Sequence, residues 1–433
     1  MISVAFVIAG GRENFNPFQN PPLCELHLLT ILEECFGDKI DISLIDLRGI
    51  DEKFISYYIP EKDIYMYSLY TPEWVETVSA LTTIKELYPK ATQVGGGPHV
   101  NIFPEECAKM FDSIVMGEGE ESLVTLINDY LDSKIQPIYR QCGDIDIQKY
   151  SYPLRKYLPK AAVVQKGHLS GKHADLPGTA VLFSRGCPFK CHFCANLTFG
   201  NVRFRTPEWI IREIEYLKKE YQIEALSLKD DNGIPVSIKD AEPLLTALGE
   251  CGIKWRGQSR ANGVKPEMVK LAAESGCVEI GVGLESISSR ALKLVHKGLN
   301  LDKAKDYIRL LQDHGIGVRL HFIIGLPGEP EDIIDQTISF VEEVQPRSVL
   351  ASLLCPLPGS AIYKTPEKYG IKILSEDWSK YRVAFGRFED NEELPKVMEY
   401  EEMTPWGKAM PWHQIQQNYN ILQTYLRERN FNY

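Results

Sequence analysis

Residues 179–196 read TAVLFSRGCPFKCHFCAN, a short apolar run that ends in three closely spaced cysteines. The first part, TAVLFSRG (179–186), has the length and composition of a buried strand. Cys187, Cys191 and Cys194 follow it directly, separated by three and then two residues. The three thiols are therefore predicted to lie on one loop at the carboxyl end of a strand, where ligands bind in parallel α/β folds.

The loop offers three thiolates, soft ligands that suit an iron–sulfur cluster or zinc. Zinc normally takes a fourth protein ligand. His192 lies inside the loop and would strain it, and no second cysteine pair follows nearby. A four-iron cluster on three cysteines keeps one iron open for chemistry. The cluster is the favoured hypothesis, and zinc is the alternative.

Five more strand-like runs follow the cysteine loop, and amphipathic helical patterns such as 206–221 and 302–315 separate them. The runs cover 224–231, 254–262, 278–286, 317–328 and 347–359. Six strand–helix repeats over 178–360 predict a partial (β/α)6 barrel of the TIM type, with polar residues gathered at the strand ends.

The chain before residue 136 alternates in the same way, so the fold class is α/β throughout. Its strand-like runs cover 2–10, 41–47, 63–71, 91–97 and 113–119. Apolar strands between amphipathic helices predict a doubly wound, Rossmann-like parallel sheet over 1–135. The apolar N-terminal run has no basic leader and is interpreted as the first buried strand, not as a signal peptide.

Two segments have weaker patterns. Residues 136–177 contain Pro137, Pro153 and Pro159 and little periodicity, which predicts a linker. Residues 361–433 are rich in Tyr, Trp and charge and form a small C-terminal extension of unassigned fold. Its aromatic residues either cap the barrel mouth or simply pack, and packing is slightly favoured.

Composition narrows the function classes. The net charge is -11, from 48 basic and 59 acidic residues, which argues against a nucleic acid held by phosphate contacts. No apolar stretch is long enough to predict a membrane-spanning helix. Ten cysteines in a chain this long suit a reducing cytoplasm better than a disulfide framework. A cytoplasmic protein with a small-molecule or peptide substrate is expected.

The spacing Cys-x3-Cys-x2-Cys at the end of a first strand, with Phe193 before the third cysteine, resembles the radical S-adenosylmethionine (SAM) superfamily. The resemblance covers 178–360. It implies a 4Fe-4S cluster on Cys187, Cys191 and Cys194, whose open iron chelates the amine and carboxylate of SAM. An electron from an external donor such as flavodoxin or ferredoxin would then cleave SAM to a 5′-deoxyadenosyl radical.

The same resemblance implies that later strand ends, together with Phe193, contact SAM. The segment Lys229–Asn232 lies where the family places groups near the methionyl amine, and Gln258–Arg260 ends the next strand, where Arg260 is suited to pair with a carboxylate. Which residue is the ligand is left open among Asp230, Asp231, Ser259 and Arg260. Segment 281–286, with Glu285, resembles the ribose-contacting segment, and 325–329 resembles the adenine-side turn.

Two glycine-rich segments, GGGPHV (95–100) and GEGEE (117–121), end late strands of the first sheet. Glycine there lets a backbone approach a bulky ligand closely. A dinucleotide is one alternative ligand, but no G-x-G-x-x-G follows the first strand. The segments resemble the cobalamin-binding domain of cobalamin-dependent radical SAM enzymes. That resemblance implies cobalamin contacts at Gly95, Gly96, Gly97, Gly117 and Glu118.

The chain contains no Asp-x-His-x-x-Gly motif, so cobalamin is expected without a protein histidine on cobalt. Residues Arg12–Asn20, a polar loop after the first strand, are a candidate for approaching the lower corrin face. His27 is interpreted as a core residue and His99 as a turn residue.

The favoured function is methyl transfer to an unactivated carbon, through the 5′-deoxyadenosyl radical and methylcobalamin. One alternative is a cobalamin-type radical SAM enzyme that performs a rearrangement, cyclisation or oxidation without methylation. Another, from a different class, is a non-catalytic iron–sulfur or zinc-binding protein. The sequence identifies neither a catalytic side chain nor the substrate.

Overall fold

The computed structural model describes residues 1–10, 16–195, 202–384 and 393–431. The chain divides into two compact units. Among the described residues, the first unit runs from Met1 to Val163 and the second begins at Val164. Part of the loop Arg12–Asn20, namely residues 12–15, lies outside the described residues.

The first unit contains a six-stranded parallel sheet with the order β2-β1-β3-β4-β5-β6. The strands are β1 (Ile2–Ile8), β2 (Ile40–Asp46), β3 (Ile64–Ser68), β4 (Thr92–Gly96), β5 (Ser113–Met116) and β6 (Ile138–Arg140). The helices are α1 (Leu23–Phe36), α2 (Trp74–Leu87), α3 (Pro98–Ile102), α4 (Pro104–Cys107), α5 (Gly119–Leu131) and α6 (Lys160–Val163).

Helices cover both faces of this sheet. Alternate residues of β1 point to opposite faces, so Val4 and Phe6 pack with Leu29 of α1, whereas Ala5 and Val7 belong to the cluster that contains Leu81 of α2. Each face therefore has its own apolar core. The predicted doubly wound sheet is confirmed.

The sixth strand corrects the predicted extent of this unit. β6 lies inside 136–177, the segment interpreted as a linker, and the compact unit runs on to Val163 instead of ending at residue 135. Tyr139 of β6 is buried, and its hydroxyl donates to Asp129 of α5 at 2.9 Å. A three-residue strand is too short to show any periodicity in the sequence.

The second unit is built on another six-stranded parallel sheet, with the order β14-β13-β12-β11-β10-β7. Its strands, with the short antiparallel pair β8 and β9, are β7 (Gly178–Val181), β8 (Ser184–Arg185), β9 (Arg203–Phe204), β10 (Ala225–Leu228), β11 (Lys254–Ser259), β12 (Cys277–Glu285), β13 (Gly317–Ile324) and β14 (Ser348–Leu353). The helices that alternate with them are α7 (Pro207–Tyr221), α8 (Ile238–Glu250), α9 (Pro266–Glu274), α10 (Ser289–Leu294), α11 (Leu301–Asp313) and α12 (Ile333–Val344).

This sheet curls into the predicted partial barrel, which is confirmed. Its edge strands are β7, where Gly178 forms an isolated bridge with Gln165, and β14. The C-terminal extension contains α13 (Ala361–Lys364), β15 (Ile371–Leu374), β16 (Met398–Tyr400), β17 (Met403–Thr404), β18 (Gly407–Lys408) and α14 (Trp412–Glu428). At the β14 edge, the Val349 N–H donates to the Phe431 carbonyl at 2.7 Å, and Gln423 of α14 donates to the Ala351 carbonyl at 3.2 Å. The extension thereby satisfies backbone groups of an exposed edge.

No helix among the described residues is long and apolar enough to cross a membrane.

Candidate functional site

The three cysteines lie on the loop that follows β7 and β8, as the sequence predicts. Cys191 is buried, Cys187 and Cys194 are half-buried, and none of them forms a disulfide. The Cys194 N–H donates to the Cys191 carbonyl at 3.1 Å, which closes a tight turn between these two thiols. The loop thus holds three cysteine thiols, none of them in a disulfide, at the carboxyl end of a barrel strand.

Two neighbouring strand ends donate hydrogen bonds to these thiols. Arg260, which follows β11, donates from Nη1 to Cys191 Sγ at 3.0 Å, and its guanidinium lies 3.9 Å from the centroid of the Phe189 ring. Asn232, which follows β10, donates from Nδ2 to Cys187 Sγ at 3.4 Å. Such N–H···S bonds stabilise thiolate charge and raise the reduction potential of a cluster.

The donor set fits an iron–sulfur cluster better than a single zinc ion. Among the residues that the structure describes, no three His, Cys, Asp or Glu side chains converge closely enough to hold one metal ion. A single zinc needs all its ligand atoms within about 2.3 Å. In a cluster each cysteine binds a different iron, so the thiolates stand farther apart. The assignment of Cys187, Cys191 and Cys194 as cluster ligands stays a prediction.

Asp230 and Asp231 end β10 beside the loop but differ in environment. Asp230 is buried, and its Oδ1 accepts from the Phe183 N–H at 3.0 Å and from the Ser184 hydroxyl. Its Oδ2 is buried and accepts no hydrogen bond from the described residues. Burial raises the pKa of Asp230 to about 7. Asp231 is exposed, close enough to Cys187 for its charge to raise the pKa of that thiol, after the larger effect of burial.

The buried carboxyl of Asp230 makes stability depend on pH. The folded pKa of about 7 lies above the unfolded value of about 3.9, so stability present below pH 4 is lost as the pH rises to 7. Asp230→Asn stays neutral and still accepts both hydrogen bonds. We expect it to raise the unfolding free energy by about 1–3 kcal/mol at pH 8, and to change it little below pH 4.

Urea unfolding of the SAM-free protein at pH 4 and pH 8 measures this difference, with the exposed Asp306→Asn as the control. If the unfolding free energy of Asp230→Asn depends on pH in the same way as that of the parent protein, the Asp230 carboxyl does not cause the pH dependence.

Ser259 and Arg260 point in different directions. The Ser259 hydroxyl accepts from the Tyr307 hydroxyl of α11 at 2.9 Å and is buried in the helical layer. Arg260, one residue on, reaches the cysteine loop instead. Among the four open candidates, Ser259 is therefore the least suited to contact SAM, and the alternation of side chains along β11 is the reason.

Phe193 and Glu285 meet at Lys297. The Lys297 ammonium donates to Glu285 Oε1 at 2.7 Å and lies 5.8 Å from the Phe193 ring centroid. Glu285 has a left-handed φ of 68°, where an L-residue is strained, and a Cβ on Gly283 would lie 2.4 Å from its Oε1. The structure therefore places Glu285 at the loop but already ion-paired. Its contact with SAM stays a prediction.

The turn Gly325–Glu329 after β13 is held to the end of β12. Buried Glu329 accepts from the Ser286 hydroxyl at 2.7 Å and from the Gly325 N–H at 2.9 Å, and burial raises its pKa to about 7. The Tyr400 hydroxyl of the extension donates to the Gly325 carbonyl at 2.9 Å. An aromatic residue of the extension thus contacts a strand-end turn.

The extension also contacts the cysteine loop, which no pattern in the sequence indicates. The Tyr369 hydroxyl lies 2.8 Å from His192 Nδ1, and the His296 ring stacks on His192 at 5.0 Å between centroids. The Ile362 N–H donates to the His192 carbonyl at 3.0 Å, and the His192 N–H donates to the Val295 carbonyl at 2.9 Å. The ring and the backbone of His192 are therefore both held by neighbouring residues.

Tyr369→Phe removes one of these contacts and keeps the ring. We expect the fold to remain, the unfolding free energy to fall by about 1 kcal/mol, and the cluster to lose iron to a chelator faster. Absorbance of the chelated iron over time gives the release rate. Exposed Tyr57→Phe is the control. Equal release rates in both variants would contradict a role of Tyr369 in holding the loop.

Below the strand ends, a buried charged cluster forms the floor of the barrel. Glu279 of β12 is 1% exposed and pairs with Arg319 at 2.5 Å, Arg256 at 3.5 Å and Arg347 at 4.0 Å. The Ser170 hydroxyl also donates to it. One carboxylate thus faces three guanidinium groups. Sequence inspection did not identify this cluster, because each member lies on a different strand or loop.

In the first unit the sheet order changes direction between β1 and β3, and ligands of such sheets bind at the carboxyl ends of the strands there. Gly10 follows β1 and has the Glu73 side chain against it; a Cβ on Gly10 would lie 2.4 Å from Glu73 Cδ. Burial, followed by the nearby Glu25 and Glu76 charges, raises the pKa of Glu73 to about 7. The sequence predicts cobalamin-contacting glycines at the ends of β4 and β5 and only the loop Arg12–Asn20 after β1; it does not indicate the contact between Gly10 and Glu73.

At three of the four glycines predicted to contact cobalamin, packing within the protein already requires glycine. A Cβ would lie 2.7 Å from the Phe111 ring at Gly95, 2.7 Å from the Leu69 backbone nitrogen at Gly97, and 2.7 Å from the Gln141 carbonyl oxygen at Gly117. At Gly96 a Cβ would meet only ordinary contacts of 3.6 Å or more. Gly96 is thus the glycine that internal packing leaves unexplained, and the best candidate for the close approach of a corrin.

The remaining predicted residues of this unit have partners within it. Glu118 accepts from the Ile145 N–H at 3.0 Å. His99 is fully buried, 2.9 Å from the Thr71 hydroxyl, and packs 4.3 Å from Trp74 and 4.8 Å from Phe103 between ring centroids. His27 is also buried. His27 is thus a core residue, as predicted, whereas His99 lies in α3 and not in a turn.

Comparison with known proteins adds to this geometry. Residues 181–341 match the model of the Radical SAM superfamily. An uncharacterized methyltransferase of Pyrococcus horikoshii is 26% identical over 396 residues, which cover 83% of this chain and 81% of the relative. The bacteriochlorophyllide d C-8(2)-methyltransferase of Chlorobaculum tepidum is 25% identical over 379 residues, which cover 84% and 82%.

Among solved structures, the radical SAM methyltransferase TsrM from Kitasatospora setae, determined with cobalamin and a 4Fe-4S cluster bound, has a similar fold. The TM-score is 0.68 at 16% identity, and the match covers 97% of this chain and 88% of TsrM.

Proposed function

We propose that this protein, whose residues 181–341 form a Radical SAM domain, is a cobalamin-dependent methyltransferase that acts on an unactivated carbon of a small molecule. The observation that carries the proposal is the loop of three cysteine thiols at the carboxyl end of β7, with N–H donors to two of them from the next two strand ends. Relatives that are named methyltransferases and match more than four fifths of the chain support the reaction type.

When bound, the cluster supplies one electron for the cleavage of SAM, and cobalamin supplies the methyl group. The side chains position these groups. Cys187, Cys191 and Cys194 hold the cluster, and Arg260 donates a hydrogen bond to the Cys191 thiolate. The buried Oδ2 of Asp230 suits the ammonium group of SAM, because it has no other donor among the described residues.

The proposal includes an electron donor outside the chain and a reducing compartment. An external one-electron donor such as a flavodoxin or ferredoxin reduces the cluster, and a reducing cytoplasm keeps the thiols available. In the first unit, the carboxyl edge with Gly96 is the proposed place for the corrin, without a histidine from that unit on cobalt.

The test uses the full chain, reconstituted anaerobically with iron, sulfide and hydroxocobalamin. With titanium(III) citrate and SAM, we expect 5′-deoxyadenosine, and about one equivalent of S-adenosylhomocysteine per bound cobalamin. Absence of both bound cobalamin and S-adenosylhomocysteine would overturn the proposal. Once a substrate is in hand, a product without the added mass of a methylene unit would favour a rearrangement, cyclisation or oxidation.

A further inference from the structure

The inner wall of the barrel has a second layer of side chains above the floor cluster. Arg256 and Ser227 share the inner face, because Arg256 Nε donates to Ser227 Oγ at 3.1 Å. Two residues further along each strand, Lys229 and Gln258 lie on the same face. The corresponding positions on β13 and β14 are His321 and Leu350, since Arg319 Nε donates to Ser348 Oγ at 3.4 Å.

This second layer is open, unlike the floor. Lys229 and Gln258 are exposed, and Leu350 is 38% exposed. β12 contributes only Gly281, where a Cβ would lie 3.1 Å from His321 Nε2. That Nε2 is buried and has no hydrogen-bond partner among the described residues. The lumen at this level therefore combines accessible space with polar side chains.

The charge around this space is positive, although the whole chain carries -11. The Glu279 carboxylate neutralises one of the three guanidinium groups that face it, and the Lys229 ammonium adds a further positive charge. In the described part of the chain no carboxylate forms an ion pair with Lys229. Although solvent reaches Lys229, the surrounding walls partly desolvate its ammonium group, and this effect, followed by the Arg256 and Arg319 charges, lowers the pKa of Lys229 to about 7. A bound anion would relieve this repulsion.

We infer that the barrel lumen binds an anionic group of the substrate, a carboxylate or a phosphate, between Lys229 and Gln258. The inference rests on the proposed function, because it takes the lumen as the substrate site of the methyltransferase. It adds the chemical class of the substrate, an acid whose charged end enters the barrel.

The test compares two aldehydes that differ in one phosphate group, pyridoxal 5′-phosphate and pyridoxal. The Lys229 amine condenses with the aldehyde, water leaves, and cyanoborohydride reduces the imine to a stable amine. Peptide mass spectrometry then gives the labelling of Lys229 relative to exposed Lys239 in the reconstituted protein. We expect the phosphate-bearing aldehyde to label Lys229 on the order of tenfold more than pyridoxal does, with no such preference at Lys239.

Gln258 provides a matched pair of variants, because its side chain is exposed. Gln258→Glu adds a negative charge beside Lys229 and should reduce the preference to that of Lys239. Gln258→Ala should largely keep it. Circular dichroism checks that both variants fold. If either does not, the comparison of the two aldehydes in the protein without substitutions still tests the inference.

Equal labelling of Lys229 by the two aldehydes would overturn the inference. Saturating SAM distinguishes the source of the anion. If SAM removes the preference of Lys229 for the phosphate-bearing aldehyde, the site binds the SAM carboxylate and the inference also fails. If the preference persists in the presence of SAM, the site is available to an anionic group of the substrate. The labelling experiment does not depend on turnover. A negative result would therefore not bear on the methyltransferase proposal, which has a separate test.

Discussion

Cys191→Ala is expected to abolish the reductive cleavage of SAM, with a loss of roughly a thousandfold or more. Cys191 is the buried member of the three thiols and accepts the hydrogen bond from Arg260. Without its thiolate the loop keeps two cluster ligands, and the Arg260 guanidinium loses an acceptor. The measurements are iron and sulfide content after anaerobic reconstitution, and 5′-deoxyadenosine formed under titanium(III) citrate.

Cys142→Ala is the matched control, because Cys142 is an exposed free cysteine in the first unit. It should keep both the cluster and the cleavage. If Cys191→Ala retained cleavage at the rate of Cys142→Ala, the cluster assignment would be wrong. If neither the parent protein nor the control cleaved SAM, the alternative of a non-catalytic iron–sulfur protein would be favoured instead.

The second large effect concerns stability. Glu279→Gln is expected to lower the unfolding free energy by about 3–5 kcal/mol, because it leaves buried guanidinium groups without their counter-charge. Glu279 is 1% exposed, and its partners Arg256 and Arg319 are 12% and 10% exposed. Urea unfolding followed by tryptophan fluorescence measures the loss, because buried Trp255 in the neighbouring strand is one of six tryptophans and five of them lie in this unit.

Glu343→Gln is the control for removing an ion-paired carboxylate at the surface. Glu343 pairs with Lys305 and Arg309 and is 43% exposed, so a loss below about 1 kcal/mol is expected. The double variant Glu279→Gln/Arg319→Met should recover part of the loss, because it also removes one uncompensated charge. Similar losses for Glu279→Gln and Glu343→Gln would contradict the role given to the floor cluster.

Local patterns were sufficient to predict both sheets. The apolar runs at 2–10 and 317–328 correctly predicted β1 and β13. Such runs, and the amphipathic periodicity of the helices between them, can be recognised within a short window of sequence. Residues 138–140 are the exception: β6 is a strand because it pairs with β5, and three residues carry no period of their own. The boundary at residue 135 was wrong for that reason.

Strand-end positions could also be predicted, but not what the side chains do there. Arg260 was proposed for the SAM carboxylate, and the structure shows it donating to Cys191. Ser259, adjacent in sequence, turns toward Tyr307. Tyr369 reaches His192 across 177 positions of chain. Such contacts depend on strand register and on packing between residues far apart in the chain. No short motif of a single sequence encodes either of these.

The contacts of Ile362 and Tyr369 with His192 have a consequence for maturation of the enzyme in the cell. These residues leave the ribosome well after the cysteine loop has been synthesised. A nascent chain therefore presents its three thiols to a cluster-delivery protein before Ile362 and Tyr369, which contact the loop, have been synthesised. Metal loading is easiest in that interval, and a mature chain that has lost its cluster must first release this fastening to be repaired.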